Sequence, residues 1–407
     1  MRRLRNLLRR MRPDATQRLP RDVVVLGVIA FFVMVGFGVV IPVLPVYVRS
    51  FGVGYVEVGA VVSAFALVRL IASPFCGWLI NHGGERTILA IGIGIVAVSS
   101  GLVGIAETYP QVLILRGIGG VGSAMFTISA MTLLLGSTPP TLRGRAMGFY
   151  QGGFLIGGMA GPALGGILAV ISLQAPFFFY AGTLAIAGLV GLVLLQPKTL
   201  EVPGGPAMEP VPFRLVARDP RFIAACLANL AQGWSSFGVR SALVPVLVVE
   251  LLHRPPVWTG IAFAVAAVAQ TIALAPAGRF VDKVGRRPAI VGAYAVGALG
   301  MLAMPFAPNI WILIVILCVY GAAAAFMGTA PAAAVGDAAG ARGGQPVAVF
   351  SAFSDVGAII GPLVAGALVD TVSFPAAFGT AVVLMLIASV YGLRMPRERS
   401  SVTPPAP

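Results

Sequence analysis

Acids are scarce in this chain. Of 407 residues only 14 are aspartate or glutamate, 2 are histidine and 3 are cysteine, and charged residues of both signs together make up 10%. A soluble domain usually carries about 25% charge and about 45 to 50% apolar residues, whereas 58% of this chain is hydrophobic. A globule solvated by water is therefore excluded. The cysteines Cys76, Cys226 and Cys318 sit inside apolar runs without metal-ligand or redox spacing, and His82 and His253 lie in connections on opposite sides. No nucleophile–base pair or metal cluster emerges, so the chain reads as a non-enzyme that needs no cofactor.

The apolar residues are gathered into runs of about 20, the length of helix that crosses some 30 Å of hydrocarbon. Six runs occupy 23–48, 56–80, 88–106, 111–135, 146–170 and 176–195, and six more occupy 222–249, 258–281, 289–306, 310–330, 347–369 and 374–393. Hydrocarbon offers backbone groups no other partner, so each run is predicted to be helical. The expectation is an all-α membrane protein with twelve transmembrane spans.

A net charge of +14 suggests nucleic acid until the basic residues are placed. The arginine-rich start, the connections after even-numbered spans and the carboxy-terminal tail hold 23 of the 28, the opposite side has Arg49 and Arg254, and Arg69, Arg116 and Arg240 lie within spans. That asymmetry predicts cytoplasmic termini in a plasma-membrane protein, a preference for an anionic cytoplasmic leaflet, and no role for nucleic acid. Leu4, Leu7, Leu8 and Met11 follow helical spacing among the arginines, as in a helix lying on headgroups.

The chain is also a duplication. Gly157-Gly158-Met159-Ala160-Gly161-Pro162 returns as Gly357-Ala358-Ile359-Ile360-Gly361-Pro362, Phe37-Gly38-Val39 as Phe237-Gly238-Val239, and Pro45-Val46 as Pro245-Val246. The predicted organisation is a basic tail (1–22), a six-helix bundle (23–195), a proline- and glycine-rich linker (196–221), a second six-helix bundle (222–393) and a tail (394–407).

Two motifs carry more than packing. After span 8 comes Gly278-Arg279-Phe280-Val281-Asp282-Lys283-Val284-Gly285-Arg286-Arg287, a tight turn whose carboxylate suits a helix N-terminus. One repeat earlier it is degraded to Gly77-Trp78-Leu79-Ile80-Asn81-His82-Gly83-Gly84-Glu85-Arg86, where Asn81 can cap but carries no charge. Span 5 sets Gly153, Gly157, Gly161 and Gly165 at every fourth position, next to Pro162, a face that lets backbones approach closely. Its copy in span 11 keeps Gly357, Gly361 and Pro362 but moves the last glycine to Gly366.

These residues resemble the signature loop and the glycine–proline motif of the major facilitator superfamily, in particular its twelve-helix drug:proton antiporters. Arg116 with Gly120 in span 4 resembles the arginine motif linked there to proton coupling. The resemblance covers the whole chain and implies two pseudo-symmetric bundles that rock about a midplane cavity lined mainly by spans 1, 4, 7 and 10. The departure at Asn81 removes the first-half carboxylate that family members use as a latch, and span 1 lacks the acid that many antiporters carry there.

Ionisable groups deep in a membrane are costly and mark function. Arg69 in span 2 and Asp355 in span 11 both fall about 15 to 17 Å from the cytoplasmic ends of their spans at 1.5 Å per residue. In the implied architecture these spans face each other, so the two are expected to pair. Desolvation favours the protonated carboxylic acid and a guanidinium the ionised one, which makes the pair a candidate proton switch, with Arg116, Asp282 and Asn81 as further coupling or gating residues. By duplication Arg69 corresponds to Gln270 and Asp355 to Leu155, so the other interface lacks the pair. Glu57 reads as a solvated helix-start acid, and Arg240 as an arginine that snorkels outward.

For substrate contact the candidates are Phe37, Phe126, Asn229, Gln232, Trp234, Tyr320 and Phe326, aromatic walls with a few amides that suit amphipathic organic molecules. The expected function is secondary active transport, a proton gradient driving efflux of drugs or hydrophobic metabolites by a monomer. Proton-coupled import of a metabolite is the alternative within the fold. A non-transporting sensor or scaffold is the alternative outside it.

Overall fold

The computed structural model describes residues 19–139, 142–195, 213–339 and 344–396, which contain twelve helices long and apolar enough to cross a membrane. The arginine-rich segment expected on headgroups, most of the linker and most of the carboxy-terminal tail lie outside the described residues. In the first half the spans are Arg21–Val40, Tyr55–Gly83, Glu85–Val103, Tyr109–Gly136, Arg143–Ile171 and Ala175–Leu194. The second half has Pro220–Leu251, Val257–Lys283, Arg286–Ala303, Ile310–Ala339, Gly344–Thr371 and Phe374–Gly392.

Two spans are broken where the sequence suggested continuity. Span 1 stops at Val40 and resumes as Leu44–Arg49 past Pro42, which has no amide hydrogen to give the helix. Span 7 alternates α-helix with two π-helical stretches, Gly233–Arg240 and Leu247–Leu251. The predicted linker is also shorter than expected, because Phe213–Val216 is already helical and Asp219 caps span 7 by accepting from Arg221 N at 2.8 Å.

Packing follows the repeat. Span 1 lies on spans 5 and 6, span 4 on 2 and 3, span 7 on 11, span 10 on 8 and 9, and span 9 on 12. The halves meet where span 2 packs on span 11 and span 5 on span 8. Glycines set both kinds of contact. A Cβ at Gly157 would lie 2.7 Å from Phe31 O and one at Gly161 2.7 Å from Gly38 Cα, so the stripe of span 5 seats directly on the backbone of span 1. In span 11 Gly357 and Gly361 do the same against Trp234 of span 7, with a Cβ at 2.6 Å from Trp234 N and 3.1 Å from Trp234 Cα.

The displaced glycine of span 11 has a structural reason. Gly166 of span 5 faces span 8, where a Cβ would come within 3.1 Å of Gly260 Cα, and Gly366 of span 11 faces span 2, at 2.8 Å from Val56 N. Both are contacts between halves. Gly165, by contrast, serves span 1, and its counterpart in span 11 is the fully buried Ala365. The copy kept the glycine that the other half needs and dropped its neighbour.

The signature turns are legible in backbone terms. Gly84 (φ 74°) and Gly285 (φ 115°) occupy the left-handed region at equivalent places between spans 2 and 3 and spans 8 and 9, where a side chain would be strained. Asp282 itself is exposed, with no hydrogen bond among the described residues, so it does not cap span 9. The loop is held instead by Arg286, whose Nε lies 2.8 Å from Asp337 Oδ2 of span 10 and whose Nη1 donates to Val281 O. Asn81 is in the last turn of span 2, but its side chain lies outside the described residues.

Candidate functional site

Between the halves lies a cavity of about 310 Å³ bounded by spans 1, 2, 4, 5, 6, 7 and 11. Its walls are aromatic, with Phe37, Phe65, Phe126, Phe154, Tyr180 and Phe237 around it, and its hydroxyls come from Ser123, Thr127, Ser241 and Ser354. The charged residues on it are Arg69, Arg116 and Asp355.

Arg69 and Asp355 meet across the interface, with Arg69 Nη2 donating to Asp355 Oδ1 at 2.6 Å. Their side chains retain 38% and 23% of their exposure, so the pair sits at a wet edge of the cavity and is partly screened. One turn and a half toward the far end, Ser63 Oγ donates to Ile359 O at 2.6 Å and extends the same seam.

Arg116 is different. It is 7% exposed, its guanidinium carbon lies 4.6 Å from the centre of the Phe65 ring, and its Nε is buried without a hydrogen-bond partner. A cation held against an aromatic face gains about 2 kcal/mol when desolvated, which offsets part of the cost of its burial. Arg240 has a parallel setting in the second half, over Phe263 at 5.2 Å and Tyr320 at 5.5 Å, rather than snorkelling outward as the sequence suggested. Arg240 does not line the cavity.

Of the substrate-contact candidates, Phe37 and Phe126 line the cavity and the other five do not. Asn229 Nδ2 donates to Phe350 O of span 11 at 2.7 Å, Trp234 Nε1 donates to Thr380 Oγ1 of span 12 at 3.0 Å, and the Gln232 amide stands beside Gly328 of span 10. Tyr320 is fully buried and bonded to Ser235 and Ser236 at 3.0 and 2.8 Å, and Phe326 stacks edge-on against Phe280. For Asn229, Trp234 and Tyr320 the reason is common. Polar groups inside a bundle that excludes water must find partners, and in the second half span 7 finds them in its neighbours. Span 10 consequently contributes nothing to the cavity, and the first half supplies most of the wall.

The end of the molecule away from the arginine-rich loops carries a cluster that the sequence reading did not single out. Arg49, just past span 1, bonds Glu250 at the end of span 7 with Nε to Oε1 at 2.8 Å, and Tyr55 also donates to Glu250. Asp370, at the end of span 11, accepts from Tyr55 N at 3.1 Å and Val56 N at 2.9 Å. It caps the start of span 2, which Gly54 leaves without a side-chain cap of its own. The signal was available in the repeat, since Arg49 and Glu250 are charges of opposite sign at nearly equivalent ends of spans 1 and 7. This cluster and the glycine contacts tie the two halves together at that end.

Exposed ion pairs contribute up to about 1 kcal/mol, a factor of about five in a two-state population. Glu250→Gln should therefore raise opening at this end about five-fold. Labelling of Ser241→Cys by an impermeant thiol reagent, with Cys76, Cys226 and Cys318 replaced, measures it. Unchanged labelling would show that the cluster does not hold the end shut.

Other chains share this sequence pattern or this fold. A curated relative, the quinolone resistance protein NorA of Staphylococcus aureus (strain COL), is 27% identical over 345 residues, 84% of this chain and 88% of its own. The synaptic vesicular amine transporter of Bos taurus is 28% identical over 331 residues, 79% of this chain and 62% of its own. Among solved structures, a bacterial homolog of the human lysosomal transporter Spinster, inward-facing and unoccupied, superposes with a TM-score of 0.74 at 15% identity, covering 92% of this chain and 97% of that one. The nucleoside transporter NupG gives 0.73 at 14% identity, covering 91% and 99%. The family description Major Facilitator Superfamily matches residues 26–253 and 225–407. With twelve spans, paired bundles and a shared central cavity, the chain belongs to the Major Facilitator Superfamily and is a multi-pass membrane transporter.

Proposed function

We propose that this transporter is a proton-coupled exporter of amphipathic organic molecules, oriented with its arginine-rich loops and termini in the cytoplasm of a plasma-membrane cell face. The observation that carries the proposal is the Arg69–Asp355 contact, an ionisable pair on the cavity wall that joins the two moving halves. The similarity to a quinolone resistance protein supports the direction of flow, and the aromatic wall suits apolar substrates.

The pair couples two events. With Asp355 ionised it binds spans 2 and 11 together, along the seam that is shut at the far end. A proton on Asp355 removes the attraction, releases Arg69 and lowers the cost of parting that seam. Such a ligand shifts the equilibrium only through its different affinity for the two states, and the 2.6 Å contact supplies that difference. Cotransport of substrate with the proton is the second reading, and the charge of the cavity favours it, because Arg116 remains a net cation there when Arg69 and Asp355 are paired.

Purified protein in oriented vesicles separates the readings, with a fluorescent quinolone supplied at the arginine-rich side. Acid at the far side should drive the quinolone toward that side, and a protonophore should stop it. The same movement driven by acid at the near side would make it cotransport. Movement indifferent to either gradient would end the proton-coupled proposal.

A further inference from the structure

The charge of the cavity constrains what can enter it. Arg69 is compensated by Asp355 at 2.6 Å, the one carboxylate on the wall among the described residues, which leaves none paired with Arg116. A buried guanidinium with an unpaired Nε usually signals an absent partner. Contact with the Phe65 face at 4.6 Å stabilises the charge without using its in-plane donors. Guanidinium groups present those donors as a planar fork that matches a carboxylate or sulfonate bidentately. An ammonium ion brought to the same wall would meet repulsion at Arg116, and the carboxylate that could attract it is already bonded to Arg69.

We infer that the cavity takes amphipathic organic anions, with Arg116 receiving the carboxylate or sulfonate and the rings of Phe37, Phe126 and Phe154 taking the apolar body. This rests on the transporter reading but not on the direction of flow. Aromatic bodies fit because the wall that carries Arg116 is also lined by six aromatic rings, and a single anionic group fits because one cation there is uncompensated.

Arg240 is the internal control. It is likewise held by aromatic rings and likewise has a buried unpaired Nε, yet it does not line the cavity. A purely structural role for such arginines predicts that both behave alike. A ligand-binding role predicts that they part.

The test is equilibrium binding to the full chain in nanodiscs, with three probes of matched shape: 1-naphthaleneacetate, its neutral amide, and 2-(1-naphthyl)ethylammonium. The unaltered protein should bind the anion at least about ten-fold more tightly than the ammonium, a difference of about 1.4 kcal/mol. Arg116→Gln should lose about that factor for the anion while leaving the amide unchanged, Arg116→Lys should recover part of it, and Arg240→Gln should leave the preference intact. Equal or stronger binding of the ammonium, binding of none of the three, or an Arg116→Gln protein that keeps its anion preference would each overturn the inference. Should Arg116→Gln not fold, the preference of the unaltered protein and the Arg116→Lys variant decide. Tight anion binding without flux of the anion in vesicles under any gradient would instead sink the transporter coupling proposed above and leave the charge assignment standing.

Discussion

Gly165→Val should leave little folded transporter, whereas Gly152→Val should be nearly silent. A Cβ at Gly165 would overlap the Val39 carbonyl oxygen and lie 2.9 Å from its carbon and 3.0 Å from Val39 Cα. These are backbone atoms of span 1, so no rotamer change relieves the clash. Nor can span 5 withdraw as a rod. A Cβ at Gly161 or Gly157 would likewise come within 2.7 Å of the same neighbour, and one at Gly166 would meet Gly260 of the second half at 3.1 Å, so span 5 is seated closely on both. Overpacking in a close-packed interior costs about 1 to 3 kcal/mol where side chains yield. Here the backbone must yield, and the cost should reach about 3 kcal/mol or more. Nothing lies within 4 Å of a Cβ at Gly152, one helix face away. Thermal unfolding followed by size-exclusion chromatography reads the contrast. A monodisperse Gly165→Val protein with unaltered unfolding would mean that the stripe is not a packing requirement.

That asymmetry between neighbouring glycines marks how far the sequence could be read. Twelve spans were legible because hydrocarbon imposes one solution on every apolar run, and the glycine stripe because its period matches the helix. The interface partner of Asp355 was reachable from its depth together with the facing of spans 2 and 11 that the family resemblance implies. Other features depended on tertiary context. The π-helical stretches of span 7 leave no compositional trace in Gly233–Arg240. The amide of Asn229 and the ring of Trp234 looked available because a sequence cannot show which neighbour satisfies them, and spans 11 and 12 do so. Phe65, Phe154 and Tyr180 were indistinguishable from other aromatic residues in apolar runs until the spans converged.

The duplication also separates what is structural at the interface from what is switchable. Gly59 beneath Pro362 and Gly260 beneath Pro162 are equivalent contacts, and so are those of Gly366 and Gly166. Both interfaces thus share one glycine seal. The charges are not shared: Asp370 on the start of span 2 and Asp355 on Arg69 both belong to the meeting of spans 2 and 11, and the equivalent positions near the other interface hold Val170, Leu155 and Gln270. Under the proton-coupled reading proposed above, a proton would act on the seam of spans 2 and 11 alone, because the seam of spans 5 and 8 has no acid at the positions equivalent to Asp355 and Asp370.

Removing both charges of the central pair should cost less stability than removing either one, and should still end the response to a proton gradient. Truncating one member of a fully buried ion pair costs about 3 to 5 kcal/mol, mainly because the other charge is left without a partner. Arg69 and Asp355 keep 38% and 23% exposure, so solvent screening brings the expected cost of Asp355→Asn or Arg69→Gln down to about 1 to 2 kcal/mol. The double variant Arg69→Gln with Asp355→Asn leaves neither charge stranded and should recover most of that loss. Its two amides can still bond across the 2.6 Å contact, so the seam remains closed while losing its sensitivity to protons. Transport driven by a pH gradient should then fall at least about ten-fold, the effect of about 1.4 kcal/mol of lost coupling, while exchange of labelled for unlabelled substrate without a gradient persists. A static salt bridge predicts the reverse pattern: a double variant that is stable and fully driven by the gradient. Measuring unfolding and both transport modes on the three variants places the pair on one side or the other, because stability answers to stranded charge and the gradient response to the proton on Asp355.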